Sequence, residues 1–188
     1  MSGVRGSGPA RGGAAGPRGV ADSEVTFVRP MTQHDANVYG TVHGGVIMHE
    51  VDTAAGVAAA RHAGGVCVTA AVDELSFLAP VEVGDLLVVQ ARVNGVGRTS
   101  LEVGVRVEAE PWQGGPRRHT TTAFLVMVCL DGDGRPAPLP PLRAEGSEQQ
   151  RRQTQAATRR QLRAERRGRL AAAAQPPPPT AAPGQAPS

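Results

Sequence analysis

The run Tyr39-Gly40-Thr41-Val42-His43-Gly44-Gly45, followed seven residues later by Asp52, holds the residue types best suited to chemistry in this chain. Two glycines at a helix start let a substrate approach backbone N–H groups that have no partner inside the helix. The helix macrodipole adds positive potential there, so a developing oxyanion is favoured. The same pair would serve equally well as a tight entry into a packed helix, and on these residues alone the two readings stand level. Asp52 falls mid-helix among Met48, Val51, Ala55 and Gly56, with no arginine three or four positions away. A carboxylate on that face is expensive to bury unless it has a task or a partner. Asp52 is therefore expected on a functional face and Glu50 in solvent; the alternative is an exposed Asp52, or one satisfied by a neighbouring chain.

Spacing constrains how these groups can cooperate. Gly45 and Asp52 share a face but lie roughly 10 Å apart along the helix axis. One reacting carbonyl must sit about 3 Å from both an oxyanion donor and the attacking group. A single helix struggles to supply both. Two antiparallel copies about a two-fold axis can, with Gly45 of one chain facing Asp52 of the other.

Other candidates are weaker. Gly97-Arg98-Thr99-Ser100 opens a strand and reads either as a phosphate contact or as a polar strand entry. His43 reads as a substrate contact or as a structural side chain. The five histidines, His34, His43, His49, His62 and His119, show no metal-ligand spacing, and His49-Glu50 lacks the second histidine of a zincin helix. No serine lies in a Gly-x-Ser-x-Gly elbow. Asp131-Gly-Asp133-Gly134 reads as a turn rather than a calcium loop. No metal and no cofactor are expected.

The elements that must position these groups can be read from periodicity. Val25–Val28 is a short strand ended by Pro30, and a polar, turn-rich stretch follows from Thr32 to Thr41. From Gly45 to about His62 there is no proline, and Ile47, Val51, Ala54 and Ala58 recur at helical spacing until Gly64-Gly65. Four strand-like runs follow: Cys67–Phe77, Leu86–Val93, the alternating Ser100–Val107, and Thr120–Leu130. One early, alanine-rich helix and then a series of strands indicates an α+β domain, with an antiparallel sheet wrapped around a long central helix.

The ends differ from the middle. Residues 1–22 and 171–188 are poor in large apolar residues and read as disordered tails, leaving a domain at 23–142 and an Arg-rich, solvent-facing helix at 143–170. The net charge of +3 hides an uneven distribution: residues 25–142 carry −4 and residues 143–170 carry +6, all the basic residues being arginine. The segment lacks interleaved aromatics and the core is acidic, so nucleic acid is not the expected partner; solvent, acidic neighbouring subunits or phosphates suit it better. No apolar run is long enough for a membrane span and no signal peptide is evident. Cys67 and Cys129 read as free core thiols, which suits a reducing cytoplasm.

Tyr39–Asp52, then Ala54-Ala55-Gly56 and Ala59-Ala60-Arg61-His62, resembles the cytosolic long-chain acyl-CoA hydrolases, and is similar to the small YciA-like bacterial thioesterases. Val68-Thr69-Ala70-Ala71-Val72-Asp73, Phe77, Pro80, Gly84, Gly97-Arg98-Thr99-Ser100 and Gly134-Arg135-Pro136 continue the match in order, from about Val25 to Arg167. The resemblance implies a single hotdog domain, a homodimer as minimal unit in a trimer of dimers, and metal-independent hydrolysis of fatty acyl-CoA to free acid and CoA. It implies that Asp52 is the catalytic carboxylate and that the Gly45 N–H polarises the thioester carbonyl. Arg98, Thr99 and Ser100 match a turn that binds coenzyme A, with His43, Gly44 and Phe77 as further substrate contacts. Thr41 stands where relatives can carry Asn or Asp, with a hydroxyl able to orient water, and Ser76 replaces a frequent Asn. Mammalian relatives carry two such units per chain, whereas this sequence has one. The competing reading is a non-catalytic acyl-CoA-binding module or sensor, for which Asp52 has little use.

Overall fold

The structure, a computed structural model, describes residues 16–174. Its elements are β1 (Arg18–Gly19), β2 (Val25–Pro30), α1 (Gly44–Ala63), β3 (Cys67–Phe77), β4 (Asp85–Val96), β5 (Ser100–Pro111), β6 (Arg118–Cys129), β7 (Leu142–Arg143) and α2 (Gly146–Ala173). Five strands form one antiparallel sheet in the order β2-β4-β5-β6-β3. β1 and β7 form a separate parallel pair.

The sheet curls around α1, as the sequence pattern predicts. Val103, Val105 and Val107 on β5, and Leu125 and Met127 on β6, alternate inward and are buried. They meet Ile47, Val51, Ala54, Ala55, Ala58 and Ala59 of α1, whose alanines are wholly buried. Methyl-sized side chains let the helix lie close to the sheet, so a larger residue at Ala58 would overpack the core by about 1–3 kcal/mol. Register shifts on β3, β4 and β5 mark irregularities that bend and twist the strands around the helix. Gly64 ends α1 in the left-handed region at φ 69°. His62, fully buried near that end, lies with Nε2 3.0 Å from the Pro140 carbonyl and so ties the helix to the proline-rich exit.

Three expectations are corrected. The N-terminal tail was expected to run to residue 22, but Arg18–Gly19 pair with Leu142–Arg143, a helical turn covers Ala21–Ser23, and the Ser23 hydroxyl accepts from the Val93 N–H. Hydrogen bonds to the domain, together with the buried Val20 side chain, order this segment. Residues 1–15 and 175–188 of the two expected tails lie outside the described residues. Cys67 and Cys129 are not free thiols: they are direct partners across β3 and β6, with Cα atoms 4.1 Å apart, and form a disulfide.

The third correction concerns α2, which is not simply solvent-facing. Ala156 is buried against Gly95, where even a Cβ would come within 2.9 Å of it. Arg159 makes two bonds to the buried Glu102 carboxylate, of 2.6 and 3.1 Å, and stacks 3.7 Å over the Phe124 ring. Arg163 bonds Asp73 at 2.5 Å and lies 3.5 Å from Glu102. Charge pairing and small residues dock this helix on the outer face of the sheet, which is why an apolar stripe did not announce it.

Candidate active site

The helix start is built by a constrained loop. Asp35 is buried, accepts from the Thr32 N–H and hydroxyl, and pairs with Arg29 at 2.7 Å. Burial alone would raise its pKa; the Thr32 N–H, the Arg29 guanidinium and the Thr32 hydroxyl outweigh that and hold the carboxyl below its ordinary value. The Asp35 carbonyl accepts from the His43 N–H at 2.8 Å, which fixes the residue entering α1. Between them, Asn37 accepts from the Tyr39 N–H and donates from Nδ2 to the Thr41 hydroxyl at 2.9 Å. Thr41 is thus the hydrogen-bond partner of Asn37, a pairing that the turn-rich pattern of this stretch did not show.

His43 is the N-cap of α1, and its Nδ1 accepts from the Gly45 N–H at 2.8 Å. That nitrogen must be unprotonated to accept, so the ring is held as its Nε2–H tautomer. The expected oxyanion donor is therefore occupied by the chain's own side chain. Gly44 lies tight against the Phe77 ring, which a Cβ there would approach to 3.3 Å. Phe77, half exposed, forms with Val42, Gly44, Ile47, Leu78 and Pro80 an apolar groove of about 410 Å³ at the helix start.

Asp52 is not buried in the chain, against expectation, and Glu50 is not the solvent-facing residue. Glu50 is largely covered and lies 3.4 Å from Arg29. Asp52 projects from the open side of α1, where the Thr69 hydroxyl of β3 donates to Oδ1 at 2.5 Å. Thr69 was missed as a site residue; the available signal was one hydroxyl inside an otherwise apolar strand. The side on which Asp52 lies is unusually exposed for apolar residues: Met48 on α1 and Val68, Val72 and Phe77 on β3 are all 43–50% accessible. β3 is also an edge strand with no second neighbour in the sheet.

Arg98, Thr99 and Ser100 lie elsewhere. They form the β4–β5 turn, with Ser100 in register with Val128 on β6, while Phe77 is in register with Thr121. Seven strand residues separate those rungs, about 23 Å. One chain thus joins His43, Gly44, Gly45 and Phe77 at one end and leaves the Arg98 turn at the other, and Asp52, bonded to Thr69 in register with Met127, lies toward the Arg98 end. No group of three or more potential metal ligands occurs among the described residues, and no described helix is long and apolar enough to cross a membrane.

A five-stranded antiparallel sheet around one long helix, with a glycine-rich helix start and a mid-helix carboxylate, defines a hotdog domain, and residues 39–113 match the thioesterase superfamily. An uncharacterized acyl-CoA thioester hydrolase of Bacillus subtilis, YkhA, is 35% identical over 128 residues, covering 68% of this chain and 74% of its own. The rat cytosolic acyl coenzyme A thioester hydrolase is 32% identical over 137 residues, 72% of this chain but 36% of its own, so this chain spans about a third of that relative. A hexameric acyl-CoA thioesterase superimposes with a TM-score of 0.78 at 34% identity, covering 81% of this chain and 97% of the other. The Staphylococcus aureus acyl-CoA hydrolase, solved with butyryl coenzyme A and coenzyme A, gives 0.77 at 28% identity, covering 83% and 95%. That enzyme has also been solved with an asparagine, an aspartate and a threonine each replaced by alanine, at positions fifteen and then seventeen residues apart. Asn37, Asp52 and Thr69 have the same two separations. The chain belongs to the hotdog-fold acyl-CoA thioesterases, and it is an acyl-CoA thioester hydrolase.

Proposed function

We propose that this protein hydrolyses fatty acyl-CoA to the free acid and coenzyme A without a metal, at a site shared by two chains, with Asp52 as the catalytic carboxylate. The observation that carries this reading is Asp52 itself, a carboxylate held by Thr69 on an open apolar face rather than paired with a cation. The matched separations of Asn37, Asp52 and Thr69 with the three residues altered in the Staphylococcus aureus enzyme support it.

The oligomeric part follows from the same face. An edge strand bearing exposed Val68, Val72 and Phe77 is an open template for a second strand. Two copies joined antiparallel along β3 reverse ends, so the helix start of one chain meets the Arg98 end of the other. Asp52, bonded to Thr69 on the Arg98 side of the middle, then faces the partner's helix start. The hexameric neighbour supports assembly beyond the dimer, as a trimer of dimers.

In this mechanism the acyl chain lies along the apolar groove of Phe77 and Leu78, and the thioester carbonyl replaces His43 Nδ1 as acceptor of the Gly45 N–H. The incoming carbonyl oxygen gains negative charge as water adds, and the helix terminus stabilises it. Asp52 takes the proton of that water, and Thr69 fixes the carboxylate's orientation. The tetrahedral adduct then collapses with cleavage of its carbon–sulfur bond, and the coenzyme A thiolate leaves and takes up the proton from Asp52. Asn37 and Thr41 stand beside the helix start, placed to orient the water. No cofactor beyond the coenzyme A of the substrate takes part. We place the protein in the cytoplasm, supported by the rat cytosolic relative; the Cys67–Cys129 bond suits an oxidising compartment instead, so thiol titration of the protein from its native compartment decides that point. Asp52→Ala is expected to lower kcat on the order of 10²–10⁴-fold while acyl-CoA still binds. Near-normal turnover by that variant would overturn the assignment.

A further inference from the structure

We infer that Arg160 of α2 is a second arginine of the coenzyme A phosphate site, acting with the Arg98-Thr99-Ser100 turn; this rests on the hydrolase reading above. A cavity of about 480 Å³ lies between α2 and the β4–β5 hairpin, lined by Gly97, Ser100, Gln153, Ala157, Arg160 and Gln161 among others. The Arg160 guanidinium lies directly over Gly97, with nitrogens 2.6 and 2.9 Å from where a Cβ would stand. A Cβ at Gly97 would push the guanidinium aside, so glycine lets the charge rest at that place, one residue before Arg98.

The neighbouring arginines of the same helix are spoken for. Arg159 is held by Glu102, and Arg163 by Asp73 and Glu102. Arg160 has no ion pair or hydrogen bond among the described residues, although its neighbours hold the helix beneath it firmly in place. The turn it overlies is also fixed. Its carbonyls are all engaged: Arg98 accepts from the Leu139 N–H, Thr99 from Cys129 and Ser100 from Gly97. With the acceptors used, the side-chain groups left without partners among the described residues are the Arg98 guanidinium and the Thr99 and Ser100 hydroxyls. The Arg160 fork, the Ser100 hydroxyl and the Gln153 and Gln161 amides line the cavity and make a donor set for phosphate oxygens, with the Arg98 turn adjoining it. The phosphates of the coenzyme A nucleotide are the anions that the substrate of this enzyme carries. The Arg-rich segment thus has two distinct uses: Arg159 and Arg163 dock the helix, and Arg160 meets the ligand.

The test compares wild type, Arg160→Ala, Gly97→Ala and, as a control on general charge, Arg169→Ala. Calorimetry with coenzyme A measures affinity, and kinetics with an acyl-CoA and the matching acyl-pantetheine thioester separate the nucleotide from the reacting end. Arg160→Ala is expected to weaken coenzyme A binding by about tenfold or more, the loss of a charge-assisted contact. KM for acyl-CoA should rise with kcat kept, and the acyl-pantetheine parameters should not move. Gly97→Ala should reproduce this by displacing the guanidinium, and Arg169→Ala should match wild type. Coenzyme A affinity of Arg160→Ala within twofold of wild type, an equal loss with acyl-pantetheine, an equal loss in Arg169→Ala, or no binding of coenzyme A by wild type would each overturn the inference. A wild type that binds coenzyme A through Arg160 but turns over neither thioester would sink the hydrolase reading and leave this one standing.

Discussion

The Thr69 hydroxyl donates to Asp52 Oδ1 at 2.5 Å, joining the central helix to the open edge strand at the one carboxylate of α1 that has no arginine partner. A hydroxyl that donates to one oxygen leaves the other free and fixes where it points. Removing it should disturb catalysis more than binding. Thr69→Ala is expected to lower kcat on the order of ten- to a hundredfold with KM little changed, and Thr69→Ser should recover most of the loss. Steady-state kinetics on one acyl-CoA checks this; a rise in KM at constant kcat would make Thr69 a binding residue instead.

The helix start was legible as two glycines, and the helix and the four long strands as periodicity, because both signals are local. Asp52 stood out for its type, yet its exposure did not, because helical spacing does not show which side of the helix the sheet leaves open. Thr69 and Asn37 were invisible for a related reason. Each is an ordinary residue of its segment until the fold brings Thr69 to Asp52, seventeen residues away, and Asn37 to Thr41. The docking of α2 was missed since its partners, Gly95, Glu102 and Asp73, lie fifty or more residues earlier and pair by charge and by absent side chains.

His43 caps α1 through its ring, so its removal should act on stability before chemistry. His43→Ala leaves the Gly45 N–H without its partner and is expected to destabilise the fold by about 1 kcal/mol. His43→Asn, able to cap, should recover it. Because the ring competes with the thioester carbonyl for the same N–H, kcat/KM of the folded variant should stay within about tenfold of wild type. Thermal unfolding and kinetics on the same samples check both statements. A loss as large as that of Asp52→Ala would show the ring to be a reacting group.

A shared site can be rebuilt from two defective chains. Gly45→Pro removes one backbone donor in the first helical turn, where no intrahelical bond is lost, and Asp52→Ala removes the carboxylate. Each variant alone should be inactive. Denatured together in equal amounts and refolded, half the dimers pair unlike chains, and each of these regains one intact site. About a quarter of wild-type activity should return. Activity no greater than that of the separate variants would place both groups in the same chain's site. Val72→Arg, on the exposed edge strand, should give a monomer without turnover, measured by light scattering alongside the assay.

His62 supplies a pH dependence that is independent of catalysis. Its ring is fully buried at the end of α1, with Nε2 near the Pro140 carbonyl and Nδ1 without a partner. Burial lowers its pKa below the ordinary 6.5, against the opposing pull of the Pro140 carbonyl, because an imidazolium there would lose its hydration. The unfolded chain therefore binds this proton at a higher pH than the folded one. Stability from this group is complete above about pH 6.5 and declines as pH falls from there towards the lowered folded value, below which it levels off. His62→Gln keeps a donor for Pro140 and carries no titratable ring. Denaturant unfolding at pH 5 to 8 should show wild type losing stability at the acid end more steeply than His62→Gln. Parallel curves for the two proteins would mean that the buried ring accepts its proton as readily as it does in the unfolded chain.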